Sequence, residues 1–147
     1  MSSPYRRLAI ILPINAVVMF LLTYSLIDGL DHFYPNLNRL YMAVIMVAPM
    51  ALVMLAGMRS MYANARLNVV LYVGFAVLFA ATFLLARTQT GVGDEQFLRA
   101  MIPHHSSAIL MCEHATITDP EIASLCGEIV KAQEEEIAQM KRILERY

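Results

Sequence analysis

Three stretches of the chain, residues 8–27, 40–58 and 67–86, are apolar at nearly every position and carry no charged side chain. Each is close to the ~20 residues a helix needs to cross a bilayer. They predict three transmembrane helices, because a helix that is apolar all round has no polar face to turn toward water. Pro13 and Pro49 fall inside two of these runs, which membrane helices tolerate when neighbours satisfy the freed carbonyl. The first run is longer than a signal-peptide core and lacks a small-x-small cleavage site, so it reads as a retained anchor.

After residue 87 the pattern changes. Residues 87–93 form a short polar linker ending in Gly91-Val92-Gly93, and from Asp94 onward the chain is densely charged with apolar residues at helical spacing. Asp94 is the expected N-cap of a helix running to about Ala115. Thr118-Asp119-Pro120-Glu121 opens a second helix, either as a Thr118/Glu121 capping box or with Asp119 as cap and Pro120 at the first helical position. That helix runs to near the C-terminus. Its inner face carries Ile122, Cys126, Ile129, Gln133, Glu136, Ile137, Met140 and Leu144, while Glu128, Lys131, Glu135, Lys141 and Arg142 fall mainly outside. The reading is an all-α chain in two parts: a three-span membrane region at 1–87 and a water-facing helical hairpin at 88–147.

A hairpin of this size is below the ~70–80 residues at which one core usually suffices without a metal, a disulfide or oligomerisation. An apolar face with Leu98, Ile122, Ile129, Ile137 and Leu144 is expected to pair with a second copy, giving a homodimeric four-helix bundle. Arginine placement sets orientation. Arg6 and Arg7 precede the first span and Arg59 and Arg66 flank the next loop on that side, against Arg39 and Arg87 on the other. The excess marks the cytoplasmic side. In a bacterial inner membrane the N-terminus is then cytoplasmic and the hairpin periplasmic, where thiols can oxidise. A mean hydropathy of +0.56 fits a bilayer-embedded protein, and a net charge of −1 with no basic patch gives no expectation of nucleic-acid binding.

The chemistry concentrates in one segment, Met101-Ile102-Pro103-His104-His105-Ser106-Ser107-Ala108-Ile109-Leu110-Met111-Cys112. On a helix, Met101, His104, His105, Ala108, Met111 and Cys112 share one broad arc. Thioether and thiol sulfur suit Cu(I), and imidazole binds copper in either oxidation state. Pro103 removes a backbone donor and bends the helix beside the two histidines, so they need not aim alike. Cys112 and Cys126 lie equally far from the turn at Asp119, which leaves three alternatives: a cross-hairpin disulfide, thiolate ligands for Cu(I), or two buried thiols. Gln133 and Glu136 are candidates for orienting the imidazoles, or for solvated contacts. Glu113 and His114 project away from the arc, with His114 read as surface-exposed or as a ligand at a second metal site. In the second span Met42, Met46, Met50, Met54 and Met58 form a spiralling ridge, read as packing or as a thioether relay. Asn15 is expected to bond across membrane helices, and Asp28, Asp31 and His32 read as interfacial polar groups near an aromatic belt, or as residues gathering metal ions at the surface.

Residues 94–147 resemble the "domain of unknown function 305" family. The resemblance rests on Met101, His104, His105, Ala108 and Met111 in the first helix and on Gln133, Glu136, Ile137 and Met140 in the second. It implies a ferritin-like helical fold, and some members are similar to periplasmic copper-binding proteins. It also marks Met140 as a further ligand candidate beside its packing role. Longer members look like two hairpins in tandem, so one hairpin favours pairing between chains. The expected function is a non-enzymatic, membrane-anchored copper-binding protein, for sequestration, resistance or transfer to a periplasmic copper-handling partner. The alternatives are a structural dimerisation module with Met and His as core residues, or a Cu(I) oxidase. Di-iron chemistry is disfavoured: no Glu-x-x-His occurs, and Glu136 is the lone carboxylate on either inner face. There is no nucleotide fingerprint or phosphate loop.

Overall fold

The computed structural model describes residues 3–147. It is all-α: α1 (Ser3–Leu22), α2 (Leu37–Gly57), α3 (Ala65–Arg87), α4 (Asp94–His114) and α5 (Pro120–Leu144), with a 3-10 turn at Leu30–His32 between α1 and α2. The chain forms two compact units. Of the described residues, one comprises 3–23 and 38–90, the other 24–37 and 91–147. The loop between the first two long helices thus groups with the C-terminal hairpin rather than with the membrane region.

In the first unit, α1, α2 and α3 are each long and apolar enough to cross a membrane. Tyr5, Leu8, Leu12, Val47, Ala51, Leu55 and Tyr62 form the shared core. Buried Ala43, Ala48 and Ala51 line α2, and such small residues let membrane helices approach closely. Asn64 caps α3 by accepting from the Leu67 N–H at 3.0 Å. The Tyr5 hydroxyl accepts the Asn64 N–H at 3.0 Å and donates to Asn68 Oδ1 at 2.8 Å. Asn15 does bond across helices: its amide donates to the Met50 sulfur at 3.0 Å. Of the methionine ridge, Met50 and Met54 pack against this core while Met42, Met46 and Met58 are exposed on the unit's surface.

In the second unit α4 and α5 form the hairpin. Gly93, in extended conformation, is the N-cap of α4, and Asp94 lies inside the first turn. This corrects the expected Asp94 cap. Asp94 and Glu95 instead place negative charge at the positive end of the helix dipole. Asp119 caps α5, accepting from Glu121 N at 2.8 Å and Ile122 N at 3.2 Å with Pro120 first in the helix. Leu98, Ile102, Ile109, Ile137 and Met140 form the core, with Tyr34, Met101, Val130, Ile143 and Leu144 packed on it. The expectation of an open apolar face is therefore corrected: Leu98 and Ile137 are already buried within one chain, whereas Ile122 stays half-exposed. Residues 24–37 act as a strap over the hairpin. Cys112 and Cys126 are joined in a disulfide with a Cα–Cα distance of 5.3 Å and a sequence separation of 14. Closing a loop of that length stabilises a fold by about 3 kcal/mol in the chain-entropy treatment.

Candidate functional site

Met101 and His105 are one turn apart on α4, and Glu136 and Met140 one turn apart on α5. The helices run antiparallel, so a contact between His105 and Glu136 puts the two methionines at the same level, one turn along. That contact exists: His105 Nε2 lies 2.7 Å from Glu136 Oε2. The opposite ring nitrogen, Nδ1, donates to the Met101 carbonyl at 2.8 Å. A carbonyl can only accept, so Nδ1 carries a proton and the ring's orientation is fixed by its own helix. The imidazole is largely buried, with 12% of its surface exposed, whereas the Glu136 side chain is 52% exposed. Gln133 Nε2 reaches the same Glu136 oxygen at 3.4 Å, near the limit of a hydrogen bond. Met140 is buried in the hairpin core, and Met101 packs against that cluster.

The remaining candidates lie elsewhere. His104 is exposed, its ring centred 6.1 Å from that of His105 and tilted by 73° to it. Met111 is 63% exposed. Cys112 and Cys126 spend their sulfurs on each other, so in this oxidised chain neither offers the thiolate that a ligand role requires. Among the described residues no three His, Cys, Asp or Glu side chains gather in a metal-holding arrangement.

A second constellation brings Asp28, Asp31 and His32 to Ser106 and Lys141, a pairing the sequence did not clearly signal. Ser106 is fully buried on α4 between the core positions Ile102 and Ile109. Its hydroxyl accepts the Asp28 N–H at 2.7 Å and lies 2.9 Å from His32 Nδ1. His32 Nε2 is 3.3 Å from Asp31 Oδ2, which also takes a 2.5 Å hydrogen bond from Lys141 Nζ. The Lys141 hydrogen bond is the main reason the Asp31 carboxyl is held below its usual range, against a partial desolvation penalty. A cavity of about 310 Å³ opens beside this group, bounded by Asp28, His32, Glu134 and Lys141 over Ile109 and Ile137. This Ser106–His32–Asp31 series has its hydroxyl entirely buried. It is a latch joining strap to hairpin. The one hint in the sequence was a serine interrupting the stripe Leu98, Ile102, Ile109, where a polar group needs a partner.

Residues 80–144 match the family described as "Domain of unknown function (DUF305)". The chain is also 31% identical, over 112 residues, to an uncharacterized protein of Acanthamoeba polyphaga mimivirus, covering 75% of this chain and 72% of that protein. The chain belongs to the DUF305 family. In this DUF305 protein the matched segment begins within α3 and takes in the whole of α4 and α5. The likeness to the viral protein is longer than that segment, so it extends into residues before it. No solved structure matches the chain.

Proposed function

We propose that this multi-pass DUF305 protein is a non-enzymatic Cu(I)-binding protein of the bacterial inner membrane, holding copper on its periplasmic hairpin for sequestration or transfer. The observation that carries the reading is the state of His105. Metal-binding histidines characteristically fix one ring nitrogen with a hydrogen bond and offer the other. Here Nδ1 is tied to the Met101 carbonyl. Nε2 faces α5, where only a half-exposed and therefore movable carboxylate occupies it. Met101 and Met140 stand one turn away, and two thioethers with one imidazole are a donor set suited to Cu(I). Copper is the cargo; His105, Met101 and Met140 would hold it, with Glu136 swinging aside and Gln133 as its neighbour.

A second reading has its own support. Met140 sits in the apolar core, as a purely structural methionine would, and the hairpin would then be an interaction module. Either way, we infer pairing of two chains. The apolar side chains left on the hairpin surface are Phe97, Met111, Ile122 and Leu125, and a second copy would cover them.

One experiment separates the readings. The detergent-solubilised chain is titrated anaerobically with Cu(I) against a chromophoric competitor, and separately with Zn(II). High-affinity Cu(I) binding is expected. It should be lost in Met101→Leu/His105→Ala/Met140→Leu and kept in His104→Ala/Met111→Leu. Zinc binding without Cu(I) binding overturns the copper assignment, and loss in the second variant moves the site. Light scattering on the same samples reads the pairing; a monomer that binds Cu(I) removes the dimer and leaves the site.

A further inference from the structure

The hairpin core ends, toward the α4–α5 turn, at Ile109 and Val130. Beyond it lies the Cys112–Cys126 disulfide. Both cysteines are only half-buried, and their neighbours Met111, Ile122 and Leu125 are each at least half exposed. Opening this bond would empty no part of the core, and the α5 cap at Asp119 does not depend on it. The two freed sulfurs would remain on backbones 5.3 Å apart at Cα, and Met111, next to Cys112 in the chain, is open to solvent. Thiolate and thioether are the softest donors a protein has, and they select Cu(I).

We propose that the hairpin tip is a second Cu(I) site, closed as a disulfide and opened by reduction, with Cys112 and Cys126 as thiolate ligands and Met111 as the thioether. It is independent of the site at His105. The opening step needs a dithiol reductant. Its sulfurs close into their own disulfide as the Cys112–Cys126 bond breaks, and its two protons pass to the freed thiols. Cu(I) then binds as both protons leave. The exposed apolar side chains around the bond leave it accessible to such a reductant.

The test uses the full chain in detergent. One sample is left oxidised; another is reduced with a dithiol, desalted anaerobically, and both are titrated with Cu(I) against a competing chelator. The reduced protein is expected to bind one further Cu(I) per chain and to gain near-ultraviolet thiolate-to-Cu(I) absorption. In Cys112→Ser/Cys126→Ser the gain should vanish. In Met101→Leu/His105→Ala/Met140→Leu it should persist, so the two sites fail separately. Equal stoichiometry in oxidised and reduced wild type overturns the proposal, as does a gain that survives the serine pair. Should the serine variant not fold, the absorption of the reduced wild type decides, and its absence is equally fatal.

Discussion

Pro103 cannot donate the N–H that would close on the Arg99 carbonyl four residues back. Asn36, far away in sequence, supplies the missing donor: its amide reaches the Arg99 oxygen at 3.1 Å, and also the Tyr34 oxygen at 2.8 Å. The donor that Pro103 removes beside the histidines was legible in the sequence, but its replacement was not, because nothing local ties residue 36 to residue 99. Leaving a buried carbonyl unpaired costs about 1–3 kcal/mol; the Arg99 carbonyl is part-buried, so Asn36→Ala should destabilise the hairpin by up to that order. Pro103→Ala restores a backbone donor to Arg99. In that background the Asn36→Ala loss should shrink, and thermal unfolding of the four variants gives the coupling. Strictly additive effects would show that Asn36 acts through its other contacts alone.

Among the elements, the strap of residues 24–37 is the part that periodicity could not show. Residues 24–27 are apolar enough to read as membrane, yet α1 ends at Leu22. Tyr24 turns into the second unit, its hydroxyl on the Tyr34 carbonyl at 2.8 Å and its ring 4.4 Å from that of Phe33. Apolarity does not distinguish lipid from protein core, so the span boundary slipped there while the ends of α2 and α3 fell within about three residues of expectation. The interfacial polar residues proved to be strap contacts, with Asp31 joined to Lys141 on α5. Because the folded-state Asp31 carboxyl titrates below its ordinary ~3.9, the pair stabilises the fold above that pH, and the contribution is lost as pH falls through the lowered value. Exposed pairs are worth no more than about 1 kcal/mol. Asp31→Asn should therefore lower the melting temperature slightly at neutral pH and low salt, with the deficit shrinking as pH falls through the lowered Asp31 value. A deficit that persists in acid or in high salt would mean the contact is not electrostatic.

For the whole molecule, two independent features bear on which side of the membrane the hairpin occupies. The arginine count is one: Arg6, Arg7, Arg59 and Arg66 lie at the ends of α1, α2 and α3 that share a side if each helix spans, against Arg39 and Arg87 at the opposite ends. Positive charge accumulates on the cytoplasmic side. The second is the Cys112–Cys126 disulfide, which persists in an oxidising compartment and rarely in the cytosol. Three candidate spans would put the two ends on opposite sides, and both features agree with the proposed topology, N-terminus cytoplasmic and hairpin periplasmic. A cysteine placed at the exposed Ser124, in a chain whose own two cysteines are replaced by serine, should react with a membrane-impermeant maleimide in intact spheroplasts. Reaction only after lysis would invert the topology. Copper would then be met on the cytoplasmic side, and the disulfide would have to be a transient state rather than the resting one.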